Sequence, residues 1–237
     1  MKYLGSKRRI ARDILPIILA SRKPEQWYVE PFCGGCNLID KVPQGAGRIA
    51  NDANKYLIAM FQGLQQGLNK PLDIPKEIYA EARTSYNTKS NTLSDFLIGW
   101  VGWMGSFNGR FFDGGYSGKT ATRDYIDEQI RNTLEQLPNL LEISFVSGSY
   151  EDLVLPQASL IYCDIPYKDT KQYATSKNFD YRKFYLWCVA KKEEGHTIFV
   201  SEYAMPEDFT CIWQKEITNS MNTTKTYKPI EKLFTLI

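Results

Sequence analysis

The chain predicts an α/β fold: a doubly wound, mostly parallel sheet of seven strands interrupted by a helical insertion. Three observations carry that prediction. Short apolar runs alternate with helix-forming stretches in the first and last thirds of the chain. Two of those runs, Ile49-Ala50-Asn51-Asp52 and Leu160-Ile161-Tyr162-Cys163-Asp164, end in an acid, at the carboxyl edge where open α/β sheets keep their ligands. From Asn54 to about residue 137 the strand texture stops and helical stretches follow one another.

In order, Ser6 caps a helix running through Ala20, with Pro16 a kink inside it. Strand 27–30 follows, then a helix from about Asn37 and strand 48–51. Helices are expected over 54–68, 75–86, 93–107 and 122–137, with Pro75 in a first turn. Between the last two lies Asn108–Lys119, a loop or hairpin rich in glycine and aromatics. Trp100 and Trp103, at helical spacing, read as core. Strands resume at 142–146, 159–163, 197–201, 209–215 and 232–236, with a helix over 181–192. The sheet domain therefore comprises 1–53 and 138–237, and the insertion 54–137 carries a hairpin near 108–119.

Composition narrows the function. At 237 residues, 43% hydrophobic and 24% charged, the chain is an ordinary globular one. No uncharged apolar run of membrane-spanning length occurs, and the basic N-terminus precedes only the short Ile14–Ala20 stretch, so a cytosolic protein without membrane contact is expected. An odd count of 5 cysteines is no disulfide framework. Cys33 and Cys36 form one C-x-x-C without the second pair of a structural zinc site, while Cys163, Cys188 and Cys211 read as small apolar residues. A single histidine, His196 at a turn, leaves nothing for Ser-His-Asp hydrolysis or a multi-histidine metal site.

Two blocks carry chemistry. Asp164-Ile165-Pro166-Tyr167 leaves a carboxylate, backbone carbonyls and a flat ring at a strand's end. That set suits an exocyclic amine on a planar base, oxygens accepting its N–H groups and the ring stacking on its face, while an Asp-x-Pro turn is also common loop punctuation. Glu30-Pro31-Phe32-Cys33-Gly34-Gly35 follows another strand, and its glycine pair permits a tight turn and close backbone approach to a ligand. Asp52 closes the next strand, where nucleotide-binding sheets hold ribose hydroxyls. Neither G-x-G-x-x-G nor G-K-[ST] occurs, so an adenosine without polyphosphate, as in S-adenosylmethionine, fits better than a dinucleotide or a nucleoside triphosphate.

With Tyr3, Gly5 and Lys7 at the start, these blocks in this order resemble the Dam-like, α-group DNA adenine methyltransferases over nearly the whole chain. Weaker echoes are Phe107-Asn108-Gly109-Arg110, Ser149-Tyr150-Glu151-Asp152 and Val200-Ser201-Glu202-Tyr203. The resemblance implies a Rossmann-like methyltransferase fold and methyl transfer from S-adenosylmethionine to the N6 amine of an adenine flipped out of duplex DNA. Asp164 and the Ile165 carbonyl would hold the amine, Pro166 would keep Ile165 extended, and Tyr167 would stack on the base. Tyr3 and Lys7 would approach the cofactor, Lys7 at its methionine carboxylate. Glu30, Phe32, Gly34 and Gly35 would form its turn, with Asp52 at the ribose, Tyr150 beside its adenine and Asp164 at the methyl. Two departures stand out: Cys36 replaces a common glycine, placing a side chain near the cofactor's methionine, and Ile165 replaces a common proline. The cytosine N4 amine would suit the same box, and the two departures also suit a DNA-binding relative with impaired catalysis.

Target recognition is expected in the helical block, where Asn108, Arg110 and Tyr116 offer an amide, a guanidinium and a ring to bases. Phe111 and Phe112 suit a base stack or a hairpin core equally. Net charge is only +2, but residues 2–23 carry seven bases, Arg8 among them, against Asp13 alone. Residues 168–183 carry five, including Lys168 and Lys171, against two acids; with Lys119 these are the expected phosphate contacts. The expected partner is double-stranded DNA, bound as a monomer or as a dimer formed only on DNA. The short chain suggests a solitary modification enzyme of the kind a phage or mobile element carries, or one half of a restriction-modification pair.

Overall fold

The computed structural model describes residues 1–168, 178–217 and 230–236. Seven strands form one sheet: β1 (Tyr28–Glu30), β2 (Arg48–Asp52), β3 (Ile143–Ser147), β4 (Leu160–Asp164), β5 (Thr197–Glu202), β6 (Phe209–Glu216) and β7 (Ile230–Leu236). Their spatial order is β3-β2-β1-β4-β5-β7-β6. Pairing is parallel from β3 to β5, and β7 runs antiparallel between β5 and β6. The predicted doubly wound, mostly parallel seven-stranded sheet is therefore observed. Strand order reverses between β1 and β4, which pair directly, and that is where a ligand crevice opens in such sheets.

Six helices accompany the sheet among the described residues: α1 (Ala11–Leu19), α2 (Lys55–Gln65), α3 (Lys76–Thr88), α4 (Asp95–Gly105), α5 (Tyr125–Gln136) and α6 (Tyr181–Glu193). Side-chain caps set most of their starts. Asn54 accepts from the amides of Tyr56 and Leu57, Ser94 from Leu97, Asp124 from Ile126 and Asp127, and Asp180 from Lys183. These caps start α4 and α5 two or three residues later than the pattern suggests. Pro75 sits at the N-cap of α3, just outside it.

Two expected helices are altered. Ser6 caps a separate 3-10 turn, Lys7–Arg9, and α1 begins only at Ala11. Pro16 does lie inside α1. The helix expected from Asn37 is no more than a 3-10 turn, Ile39–Lys41. Pro43 forces Val42 into extended geometry and stops propagation, and on the other side the backbone leaves the glycine turn with Cys36 at φ 53.

Both faces of the sheet are covered. Tyr28, Ala50, Phe145, Leu160, Tyr162 and Leu233 share one core with α1, α2, α4 and α5, while Val29, Ile161, Cys163, Val200 and Phe234 face α6. Trp100 and Trp103 are buried in the first core, as their spacing predicts. Of the four helices between β2 and β3, α2 packs on β2 and β3, α4 packs on α2, and α3 and α5 pack on α4, and all four contribute to one core. Among the described residues, no helix is long and apolar enough to cross a membrane.

Candidate active site

Four of the parallel strands finish on an acid at the same edge: Glu30 on β1, Asp52 on β2, Asp164 on β4 and Glu202 on β5. Because β7 runs the other way, its opening residues reach that edge too, and Glu231 is buried there. Glu231 shares the inward phase of β7 with Leu233. So many buried carboxyls need a cation, and Lys7 supplies it.

Lys7 is held by its 3-10 turn with its side chain 8% exposed. Its Nζ lies 3.1 Å from Asp164 Oδ1, 3.5 Å from Glu231 Oε2 and 4.2 Å from the centroid of the Tyr167 ring. Burial alone would lower the ammonium's pKa, but Asp164 and Glu231 together hold it above its ordinary value. Burial pushes the Asp164 carboxyl up from 3.8 to about 6, with Lys7 opposing and Glu231 adding to the rise. Asp164 keeps 24% of its side chain exposed, which leaves it accessible from the crevice.

The rest of the box is braced. The Tyr167 hydroxyl donates to Glu231 Oε2 at 2.5 Å, and its ring meets Tyr203 edge-on at 4.6 Å. The Tyr181 hydroxyl donates to the Pro166 carbonyl at 2.9 Å, and Ile165 is buried in the second core. Glu202 accepts the backbone amides of Lys168, at 2.6 Å, and Tyr203; burial raises its carboxyl above the usual range.

Beside the box lies the glycine turn after β1. The Gly34 amide donates to Asp52 Oδ2 at 3.1 Å and the Asn54 amide to Oδ1 at 2.9 Å, tying β1 to β2. Burial raises the Asp52 carboxyl, and those two amides oppose the rise. Gly34 has φ +45, and a Cβ on Gly35 would stand 2.6 Å from Asn37 Nδ2 and 2.7 Å from Tyr3 Cβ, so Tyr3 packs directly on the turn. Gln136, from the end of α5, donates to the carbonyls of Gly35 and Cys36. Asn51 donates to those of Pro31 and Gly148. Glu30 accepts the Tyr28 hydroxyl at 3.0 Å, and burial holds its carboxyl well above the ordinary range. Phe32 and Tyr150 lie 5.2 Å apart, with Phe179 and Phe184 against both.

Cys36 has φ 53, the left-handed region that favours glycine, and a fully buried side chain. The side chain expected near a cofactor is thus in the core. Both Cys33 and Cys36 are buried with thiols raised by burial, the opposite of a reactive thiolate pair. His196 is buried, and its Nδ1 accepts the Ser159 amide at 3.0 Å. Among the described residues no group of His, Cys, Asp and Glu is arranged to hold a metal.

The residues expected at DNA separate. Arg8 and Asn108 are exposed, and Asn108 has φ 57. Arg110 is half-buried, its Nε without a hydrogen-bond partner. Tyr116 is structural here: its hydroxyl donates to the Ile74 carbonyl at 2.7 Å and its ring packs on Tyr79. Lys119 is exposed but paired to Asp124 at 2.9 Å, and Lys168 is exposed. Lys171 lies outside the described residues. The bridge Ser106–Tyr116 closes the segment antiparallel, with Phe111 stacked on Trp103 at 4.1 Å and Phe112 buried, so both phenylalanines belong to the core. The N-terminal basic cluster also shrinks as a phosphate surface: Lys7 is buried, and Arg22 donates to the carbonyls of Gln26, Pro43, Gln44 and Gly47.

Residues 3–203 match the family model of the D12 class N6 adenine-specific DNA methyltransferases. The chain belongs to that family. The match runs from Tyr3 to Tyr203 and so takes in the glycine turn, Asp52 and the Asp164–Tyr167 box of this D12-class chain, but not Glu231. No curated protein matches the chain. Among solved structures, the SMU.472 protein complexed with SAH aligns at 9% identity and a TM-score of 0.39, covering 99% of this chain and 54% of that one. The chain thus spans about half the length of that structure, at a similarity too low to carry over geometry or function.

Sequence reasoning missed three contributors. Glu231 escapes because the last strand is expected to start at 232, although a charge in phase with Leu233 marks it. Gln136 and Asn51 carry no motif, since their role is to bind carbonyls of distant segments.

Proposed function

We propose that this chain transfers a methyl group from S-adenosylmethionine to the N6 amine of adenine in duplex DNA. The observation that carries the reading is the convergence, on paired strands β1 and β4 of a D12-class chain, of the Asp52-bound glycine turn and the Asp164 box. The residues at the glycine turn fit the cofactor: Asp52 is a carboxylate acceptor for ribose hydroxyls, Asn37 Nδ2 is a buried donor without a partner beside Gly35, and Phe32 with Tyr150 offers aromatic surface. When bound, S-adenosylmethionine supplies a methyl on a positively charged sulfur, open to attack by an amine.

The chain's own residues orient and hold. Adenine is extruded at a cost of a few kcal/mol, and stacking on the Tyr167 ring, worth about 1–3 kcal/mol, offsets much of it. Asp164 accepts one amine proton and the Ile165 carbonyl the other, aiming the nitrogen lone pair. Lys7 keeps Asp164 ionised against its burial, so the carboxylate can stabilise the charge developing on the amine. Lys7 would also be the cation offered to the methionine carboxylate of a bound cofactor. Arg8, Asn108 and Arg110 face the duplex, with Lys119, Lys168 and Lys171 as weaker phosphate contacts, and the helices between β2 and β3 carry recognition.

The test is transfer of labelled methyl to unmethylated duplex DNA, followed by digestion and mass spectrometry of the nucleosides. N6-methyldeoxyadenosine is expected, and Asp164→Ala should abolish it with cofactor affinity retained. Methylcytosine, or equal activity in Asp164→Ala, sinks the reading.

A further inference from the structure

Glu231 is the buried group at this edge that no motif accounts for. It lies outside the family match, on an antiparallel strand near the end of the chain, yet it touches two members of the centre: the Tyr167 hydroxyl at 2.5 Å and Lys7 Nζ at 3.5 Å. Both contacts act on the same two features. Lys7 sits between Glu231 and Asp164 and also over the face of Tyr167, so the position of Glu231 sets that of the ammonium and the ring together. A buried carboxylate is costly unless it is paired and hydrogen-bonded, and a strand residue in this phase would ordinarily be apolar, like Leu233.

We propose that Glu231 is a positioning residue for methyl transfer: it anchors the Tyr167 ring through its hydroxyl and holds Lys7 from behind, so that the ammonium presents to Asp164. The proposal rests on the transfer reading above. Two consequences follow from the geometry. Losing the anchor frees the Tyr167 ring and lets Lys7 shift, and a misplacement of about 1 Å in such a centre can cost about a hundredfold in rate. Losing only the negative charge removes a like-charge neighbour of Asp164, which then ionises at lower pH. The charged and titratable groups around Glu231 are Lys7 from the N-terminal turn, Tyr162, Asp164 and Tyr167 from β4 and its loop, Glu202 from β5, and Lys215 opposite it on β6. Of these, Lys215 is engaged with Asp13 at 2.8 Å.

The experiment compares wild type, Glu231→Gln and Glu231→Ala. Single-turnover methyl transfer to unmethylated genomic DNA is followed across pH at saturating cofactor, cofactor affinity by calorimetry, and the Asp164 carboxyl carbon by 13C NMR titration. Glu231→Ala should transfer about tenfold to a hundredfold more slowly with cofactor affinity unchanged. Glu231→Gln keeps an acceptor for the Tyr167 hydroxyl, so it should retain most of the rate and move both the acid limb and the Asp164 titration to lower pH. If Glu231→Ala fails to fold, the near-isosteric Gln variant decides alone. A wild-type rate in Glu231→Ala, or an Asp164 titration unmoved in Glu231→Gln, overturns the proposal. The NMR readout needs no turnover, so a wild type that methylates no DNA refutes the transfer reading while the titration still judges Glu231.

Discussion

Replacing Lys7 by methionine keeps the length and packing of the side chain and removes a charge that faces both Asp164 and Glu231. At 3.1 Å from Asp164 Oδ1, the gross attraction is roughly 5 kcal/mol at an effective dielectric of about 20. Removing one partner of a buried pair costs about 3–5 kcal/mol, because the other charge is left without compensation. Part of that cost appears as a rise of the Asp164 carboxyl above about 6. The sign follows from the cation: Lys7 favours the ionised acid, so without it Asp164 stays protonated to higher pH. The expected result is a rate at about pH 7.5 roughly several-fold below wild type, partly recovered as pH rises. The assay is single-turnover methylation from pH 5 to 9, with wild type losing activity as pH falls through about 6. A Lys7→Met enzyme with the wild-type rate and an acid limb still near 6 would refute the claim that Lys7 keeps Asp164 ionised.

Three further predictions concern the glycine turn and the exposed bases proposed to meet DNA. Gly35→Ala forces a Cβ to within 2.6 Å of Asn37 Nδ2 and 2.7 Å of Tyr3 Cβ; thermal melts should show a loss of about 1–3 kcal/mol and calorimetry a weaker cofactor complex. An unchanged melt and affinity would mean that Tyr3 gives way at no cost. Arg8 is exposed, so Arg8→Ala should reduce the slope of log affinity against log salt by about 1 in a DNA-binding titration. Lys119→Ala should change that slope less, because Asp124 already neutralises Lys119 at 2.9 Å.

By itself the sequence determined the sheet and most of its helices, and marked the strand ends where the candidate site lies. Strands such as Leu160–Asp164 and the later helices lie within a few residues of their expected spans, because apolar periodicity and capping side chains act over only a few positions. The glycine turn, Asp52 and the Asp164 box were legible because their backbone demands are local: a tight turn or a strand end. The tertiary structure decided which charges meet. Lys7 reads as the cation for a cofactor carboxylate, and the sheet edge places it beside two carboxylates of the chain itself. Tyr116 reads as a base contact, yet its hydroxyl is taken by the Ile74 carbonyl. Glu231 falls just before the strand expected at 232–236 and carries no motif, yet antiparallel insertion of that strand delivers it to Tyr167, 64 residues away in sequence. Strand order and direction bring those residues together, and that packing depends on the whole core, so no local pattern encodes it.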